Sequence, residues 1–133
     1  MKDITIGITH KETRKVSEDL SAKAVGSGEV AVYATPMMIA LMENSAAMLL
    51  KQFLSEEETS VGTMINTTHE AATPCGMTVS AEAKIIKQEG RKITFQITAV
   101  DEAGIIGQAV HERVVVNKAK FEARAQAKLN GSV

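Results

Sequence analysis

The chain has 133 residues, 44% hydrophobic and 23% charged, with a formal net charge of -1. That length suits a single domain over residues 1–133 with a core of its own, and the near-neutral charge gives no electrostatic footprint for nucleic acid or an anionic membrane. The lone cysteine, Cys75, excludes an internal disulfide and has no zinc-spaced partners, so no metal or other cofactor is expected and the setting should be reduced and cytoplasmic. Aromatic residues make up only 3% of the chain, which argues against stacking platforms for bases. The first residues lack the apolar core of a signal peptide, and the most apolar stretch is too short and too interrupted to span a bilayer.

In chain order, Ile4, Ile6 and Ile8 alternate and predict a strand over 2–8, with further strand character over 12–18. Gly26-Ser27-Gly28 is a turn, and 29–33 leads into a helix over 36–54. Thr35 is placed as an N-cap and Pro36 as the first helical residue. Met37, Met38, Ile39, Ala40, Leu41 and Met42 follow without a polar break, so this helix should be wrapped by the rest of the protein. Glu43-Asn44-Ser45 interrupts it, and a charge there is costly unless it is paired, hydrated or functional. Ser55 to Thr59 reads as a solvated loop.

Beyond residue 60 the period changes to that of strands. Residues 60–70 are rich in β-branched side chains, Pro74 and Gly76 break the run, and 77–87, 92–100 and 105–116 alternate with short turns at 89–90 and 101–104. Short connections predict antiparallel neighbours in a meander of four strands. The tail, 117–128, is charged and rich in helix formers. One long helix followed by strands gives an α+β class with an antiparallel sheet around the helix.

Three segments carry a resemblance. Ala34-Thr35-Pro36 with Glu43, Val61-Gly62-Thr63 followed by Thr68-His69 and Ala71-Ala72-Thr73-Pro74, and His111-Glu112-Arg113 together resemble the fluoroacetyl-CoA thioesterase-like branch of the hotdog thioesterases. The resemblance runs from about residue 10 to 120. It implies a hotdog fold, an acyl-CoA substrate, a homodimer or higher oligomer, and a catalytic group that falls on Thr35, Glu43 and His69. It also implies that Gly62 and Arg113 border the bound acyl-CoA.

Thioester hydrolysis needs a carboxylate that attacks or activates water, donors for the oxyanion, and a proton path to the thiol. Glu43 suits the first role and His69 the last. Thr35, with the N–H groups of the first helical turn, suits the second. Thr35 and Glu43 lie eight residues apart, roughly 12 Å along a helix, so a shared reaction centre calls for two chains.

Plainer roles stand beside these. Glu43 is also readable as a structural acid, Thr35 as a cap alone, His69 as a satisfied strand histidine, and Gly62 as a strand bend. Arg113 is readable as a partner of Glu112 or Asp101, or as a contact to phosphates or the acyl end. His10 and His111 read as surface or structural residues. Residues 26–33 hold one aromatic, Tyr33, too little to carry over a fluoroacetyl preference, so a short acyl thioester is the expected class. An acyl-CoA sensor or carrier is the main rival function. A hotdog hydratase or dehydratase expects an Asp-and-His motif that this chain does not show.

Overall fold

A computed structural model describes residues 1–131. Strand β1 spans Thr9–Lys15, a short helix α1 spans Ala22–Val25, and the central helix α2 spans Thr35–Lys51. Strands β2 (Glu58–His69), β3 (Thr78–Glu89), β4 (Lys92–Val100) and β5 (Ile105–Asn117) follow, then helix α3 (Lys118–Ala127). All pairs are antiparallel, in the order β1-β3-β4-β5-β2, and the five strands curl over α2 in the hotdog arrangement.

The late strands form where alternation predicts them. On β4, Ile93, Phe95, Ile97 and Ala99 are buried, and Val79, Ala81, Ala83 and Ile85 of β3 face the same core. Met38, Leu41, Met42, Ala46, Leu49 and Leu50 of α2 complete it at helical spacing.

Several expectations are corrected. Residues 2–8 are not a strand, because Gly7 turns the backbone at φ 92° and the ladder begins only at Thr9. The four late strands are not a simple meander. β3, β4 and β5 are, but β2 crosses to the far side and pairs with β5. Its link to β3 runs across the end of the sheet, where Tyr33 N–H donates to the Thr73 carbonyl and Gly76 N–H to the Val16 carbonyl, both at 2.8 Å. Thr73 Oγ1 also donates to Asp101 at 2.7 Å, tying this link to the β4–β5 turn. Glu58 is no solvated loop residue. It opens β2, paired with the Met1 amino group at 3.0 Å and Arg91 at 2.8 Å.

Helix α2 ends at Lys51, not at 54, and it is covered on one side only. Pro36, Ala40, Met48 and Lys51 are exposed, with Ile39, Glu43 and Ala47 half-buried between them. The three polar residues in its middle each find a partner. Ser45 donates to the Met42 carbonyl at 2.7 Å, Asn44 accepts from Arg14 at 3.0 Å, and Glu43 faces Arg113.

Candidate active site

The first of two clusters along α2 lies at its start. Thr35 Oγ1 and His69 Nδ1 are 2.7 Å apart, at a cavity of about 230 Å³ lined also by Val32, Tyr33, Ala71 and Ala72. The expected capping role of Thr35 does not hold. Ala34 takes the N-cap position, and the Thr35 hydroxyl bonds to His69 instead. The first-turn N–H groups are also fewer than expected for an oxyanion. Pro36 has none, and those of Met37 and Met38 both point to the Ala34 carbonyl at 3.0 Å. The Thr35 hydroxyl and its own N–H are what the helix start offers.

His69 sits at the last position of β2. Its Nε2 is shut off from solvent without a hydrogen-bond partner among the described residues. Burial pushes the imidazole below its ordinary value, with the Ala71 backbone acting in the opposite sense, so the neutral ring dominates near pH 7. Tyr33 lies under the helix start, buried, with its hydroxyl donating to the Met37 carbonyl at 3.2 Å. Desolvation holds its phenol at about 12, so it is a neutral donor and a wall.

The second cluster lies two turns further on. Glu43 Oε2 is 3.8 Å from Arg113 Nη1, and the Glu43 side chain is 44% exposed, far from the enclosed charge that the apolar helix suggested. Arg113 is buried. Its Nε donates to Ser60 Oγ at 2.8 Å, its Nη2 to the Ser60 carbonyl at 3.0 Å, and its Nη1 lies 3.2 Å from His111 Nε2. His111 Nδ1 lies 2.7 Å from the Met64 carbonyl, which assigns the proton to Nδ1 and leaves Nε2 as an acceptor for the guanidinium. Desolvation is the main cause that lowers the His111 pKa, in keeping with this neutral structural role. Gly62 closes the cluster: a Cβ there would stand 2.9 Å from Glu43 Oε2 and 3.2 Å from His111 Cε1.

Both clusters share one face of the sheet because of a bulge. Gly62 and His69 are seven residues apart and would point to opposite faces of a regular strand. The register slips between Gly62 and Met64, with Thr63 as the extra residue. As a result Gly62, Ile65, Thr67 and His69 oppose Arg113, His111, Ala109 and Gly107, the buried row of β5. Gly107 was not singled out from the sequence, yet a Cβ there would meet the Thr68 carbonyl at 2.5 Å and Met38 Sδ at 2.9 Å. Its lack of a side chain lets α2 and the end of β2 come together over the Thr35–His69 pair. The period-2 row 107, 109, 111, 113, 115 was the signal that placed His111 inside.

Thus the chain brings Thr35 to His69, and Glu43 to Gly62 and Arg113, but it keeps the two groups at separate stations along α2. Over residues 16–119 the sequence matches the profile of the family described as fluoroacetyl-CoA-specific thioesterase. The fluoroacetyl-CoA thioesterase of Streptantibioticus cattleyicolor is 39% identical over 97 residues, 73% of this chain and 70% of that protein. A solved variant of the fluoroacetyl-CoA-specific thioesterase in complex with fluoroacetate and CoA superposes with a TM-score of 0.84 at 31% identity, covering 89% of this chain and 99% of that one. A thioesterase superfamily member from Thermus thermophilus superposes at 0.89 with 29% identity, over 99% and 100% of the two chains. On this family match, and with the motif residues gathered on one face of the hotdog sheet, the chain belongs to the fluoroacetyl-CoA-specific thioesterase family.

Proposed function

We propose that the protein hydrolyses a short-chain acyl-CoA thioester, using Thr35 and His69 of one chain and Glu43 of a second. The observation that carries this reading is the 2.7 Å contact between the Thr35 hydroxyl and His69 at the mouth of a cavity, made in place of a helix cap. Neutral His69 holds that hydroxyl towards the acyl carbonyl oxygen, where it stabilises the developing oxyanion. Glu43 supplies the electrons for attack, either by drawing a proton from water or by forming an anhydride that water then opens. The C–S bond breaks, the thiolate takes up a proton that comes from the attacking water by way of Glu43 or His69, and a carboxylate and free coenzyme A leave. Gly62 lets the thioester approach the β2 backbone beside Glu43. Arg113, buried and engaged with Ser60, fixes Glu43 and borders the acyl end. The chemistry uses side chains and water only, with no metal or other cofactor.

The homodimer is supported by two surfaces on the same side of the molecule. β2 is an edge strand with no described strand beyond it, and α2 leaves Ala40 and Met48 uncovered next to it. Pairing two β2 strands about a two-fold axis near Ile65–Thr67 sets His69 of one copy opposite the Gly62–Thr63 bulge of the other, the station of Glu43.

Thiol release from an acyl-CoA panel tests the activity, with Glu43→Gln and His69→Ala each expected to lose about 100-fold or more. Binding across the panel without turnover would support a carrier instead. Coexpressing the two variants tests the shared site, because each mixed dimer then regains one intact site of its two and the coexpressed pool about a quarter of wild-type activity. No recovery on mixing, or full activity from a strict monomer, defeats the composite site.

A further inference from the structure

His69 is the last residue of β2, so its ring depends on how the link to β3 is held. The Glu70 and Ala71 N–H groups reach the Ile106 carbonyl at 2.6 and 3.4 Å, and the link is next held at Thr73. The segment that enters Thr35 is tied by the Ala34 N–H to the Leu20 carbonyl at 2.9 Å and by the Tyr33 N–H to the Thr73 carbonyl at 2.8 Å. Thr73 is thus the junction of the two. It lies four residues after His69 and bonds to the residue two before Thr35. The cavity between the segments has Ala71 and Ala72 on one wall, Val32 and Tyr33 on the other, and the Thr35–His69 contact at its mouth.

Thr73 is itself locked from the far side. It is fully buried, and its hydroxyl donates to Asp101 Oδ2 at 2.7 Å. The β4–β5 turn holds Asp101 through the other oxygen: Oδ1 accepts from the Ala103 and Gly104 N–H groups at 2.7 and 3.1 Å. The bond from Thr73 is the main cause that keeps this carboxyl below its ordinary value, so near pH 7 it is an acceptor only and Thr73 must donate. The turn needs only Oδ1. The second oxygen serves a residue 28 positions away, where a valine of the same shape would fill the space as well. We infer that Asp101 and Thr73 are positioning residues of the reaction: the carboxylate locks Thr73, and Thr73 sets the separation of Thr35 and His69 across the cavity mouth. The inference rests on the Thr35–His69 reading of the site and adds two residues remote from the reacting atoms.

Thr73→Val and Asp101→Asn, which keeps an oxygen for the turn, should each lower kcat about three- to tenfold and leave KM near the wild-type value. Thr73→Ser should restore most of the rate. The two losses should not multiply in the double variant, and Thr73→Val should cost little more in a Thr35→Ala background, because both act through one pair. Ile93→Val, in the core of β4, is the control for lost stability and should keep kcat. Losses that multiply, or a Thr73→Val rate equal to wild type, overturn the inference and leave the hydrolysis reading standing. A histidine titration by NMR makes the comparison without turnover. Burial and the Ala71 backbone are what act on the His69 ring, so a loosened link that admits water should raise its pKa towards 6.5 in Thr73→Val and Asp101→Asn, but not in Thr73→Ser or Ile93→Val. A ring that does not move in Thr73→Val, or moves equally in Ile93→Val, overturns the inference whatever the rates. If the wild type releases thiol from no thioester, the hydrolysis reading fails, and the titration alone decides whether Asp101 and Thr73 position the pair.

Discussion

Thr35 is the residue whose role depends most on where its hydroxyl goes. A threonine that caps a helix typically contributes about 1 kcal/mol, and that loss should be absent here because the hydroxyl bonds to His69. Thr35→Ala is therefore expected to leave the melting temperature nearly unchanged while lowering kcat at least about tenfold, with Thr35→Ser keeping most of the rate. A melting shift as large as the loss of a cap would return Thr35 to its plainer role. The same pair sets a pH dependence. Burial lowers the His69 pKa, and the neutral ring is the working form, so kcat/KM should be flat above 6.5 and fall only at more acid pH. An acid limb above 6.5 in the rate profile would contradict this. Thr35, Glu43, His69, Gly62 and Arg113 stood out in the sequence because family motifs pointed to them. Their contacts did not, because they join distant parts of the chain: Ser60 lies 53 residues before the Arg113 it anchors.

Between elements, two glycines set how closely the strands and α2 approach. Gly62→Ala places its methyl against the movable end of Glu43, so the fold should survive with activity reduced as the carboxylate is displaced. Gly107→Ala meets the Thr68 backbone carbonyl, which cannot swing aside, and is expected to cost about 1–3 kcal/mol in denaturant unfolding. Equal destabilisation by the two would show that side-chain mobility is not what separates them. Strand β4 was legible to the residue, since apolar alternation and flanking turns both mark 92–100. Strand order was not. The β2–β3 link contains the Pro and Gly of an ordinary turn, and only its bonds to Tyr33, Val16 and Asp101 show that it crosses the sheet. The false first strand had the opposite cause. Ile4 and Ile8 pack on the core, and only Gly7 and Ile8 bond to β3, through the Ile85 backbone, so the alternation over 2–8 mostly records burial and not pairing.

For the molecule as a whole, Glu58 links the amino terminus, the β3–β4 turn through Arg91, and the segment after α2 through the Ser55 backbone. The Ser55 backbone N–H first, then the terminal ammonium and Arg91, hold its carboxyl down to about 2 from 4.5. An acid depressed in the folded state binds its proton more readily when unfolded, so its stabilisation is complete above about 4.5 and is lost as pH falls towards 2. Melting curves should show Glu58→Gln less stable than the wild type above pH 5, with the gap closing in acid. A gap that persists at pH 2 would assign the effect to packing. An antiparallel sheet around one helix was legible, because a long apolar helix before a run of alternating strands leaves few other ways to bury both, and the family resemblance narrowed it to the hotdog arrangement. The uncovered side of α2 was not, since an apolar sequence does not say whether its own chain or another covers it.

Thr63 gives β2 two independent counting frames. The residues before it address Glu43 by even numbers, and those after it address Thr35 by odd ones. Loss of Thr63 would merge the frames while keeping Gly62 and His69 on the same side, so the strand can shorten by one residue at that point without turning either inward residue out. One residue added between Met64 and His69 has no such allowance, and it would send the histidine to the outer face unless a second bulge formed.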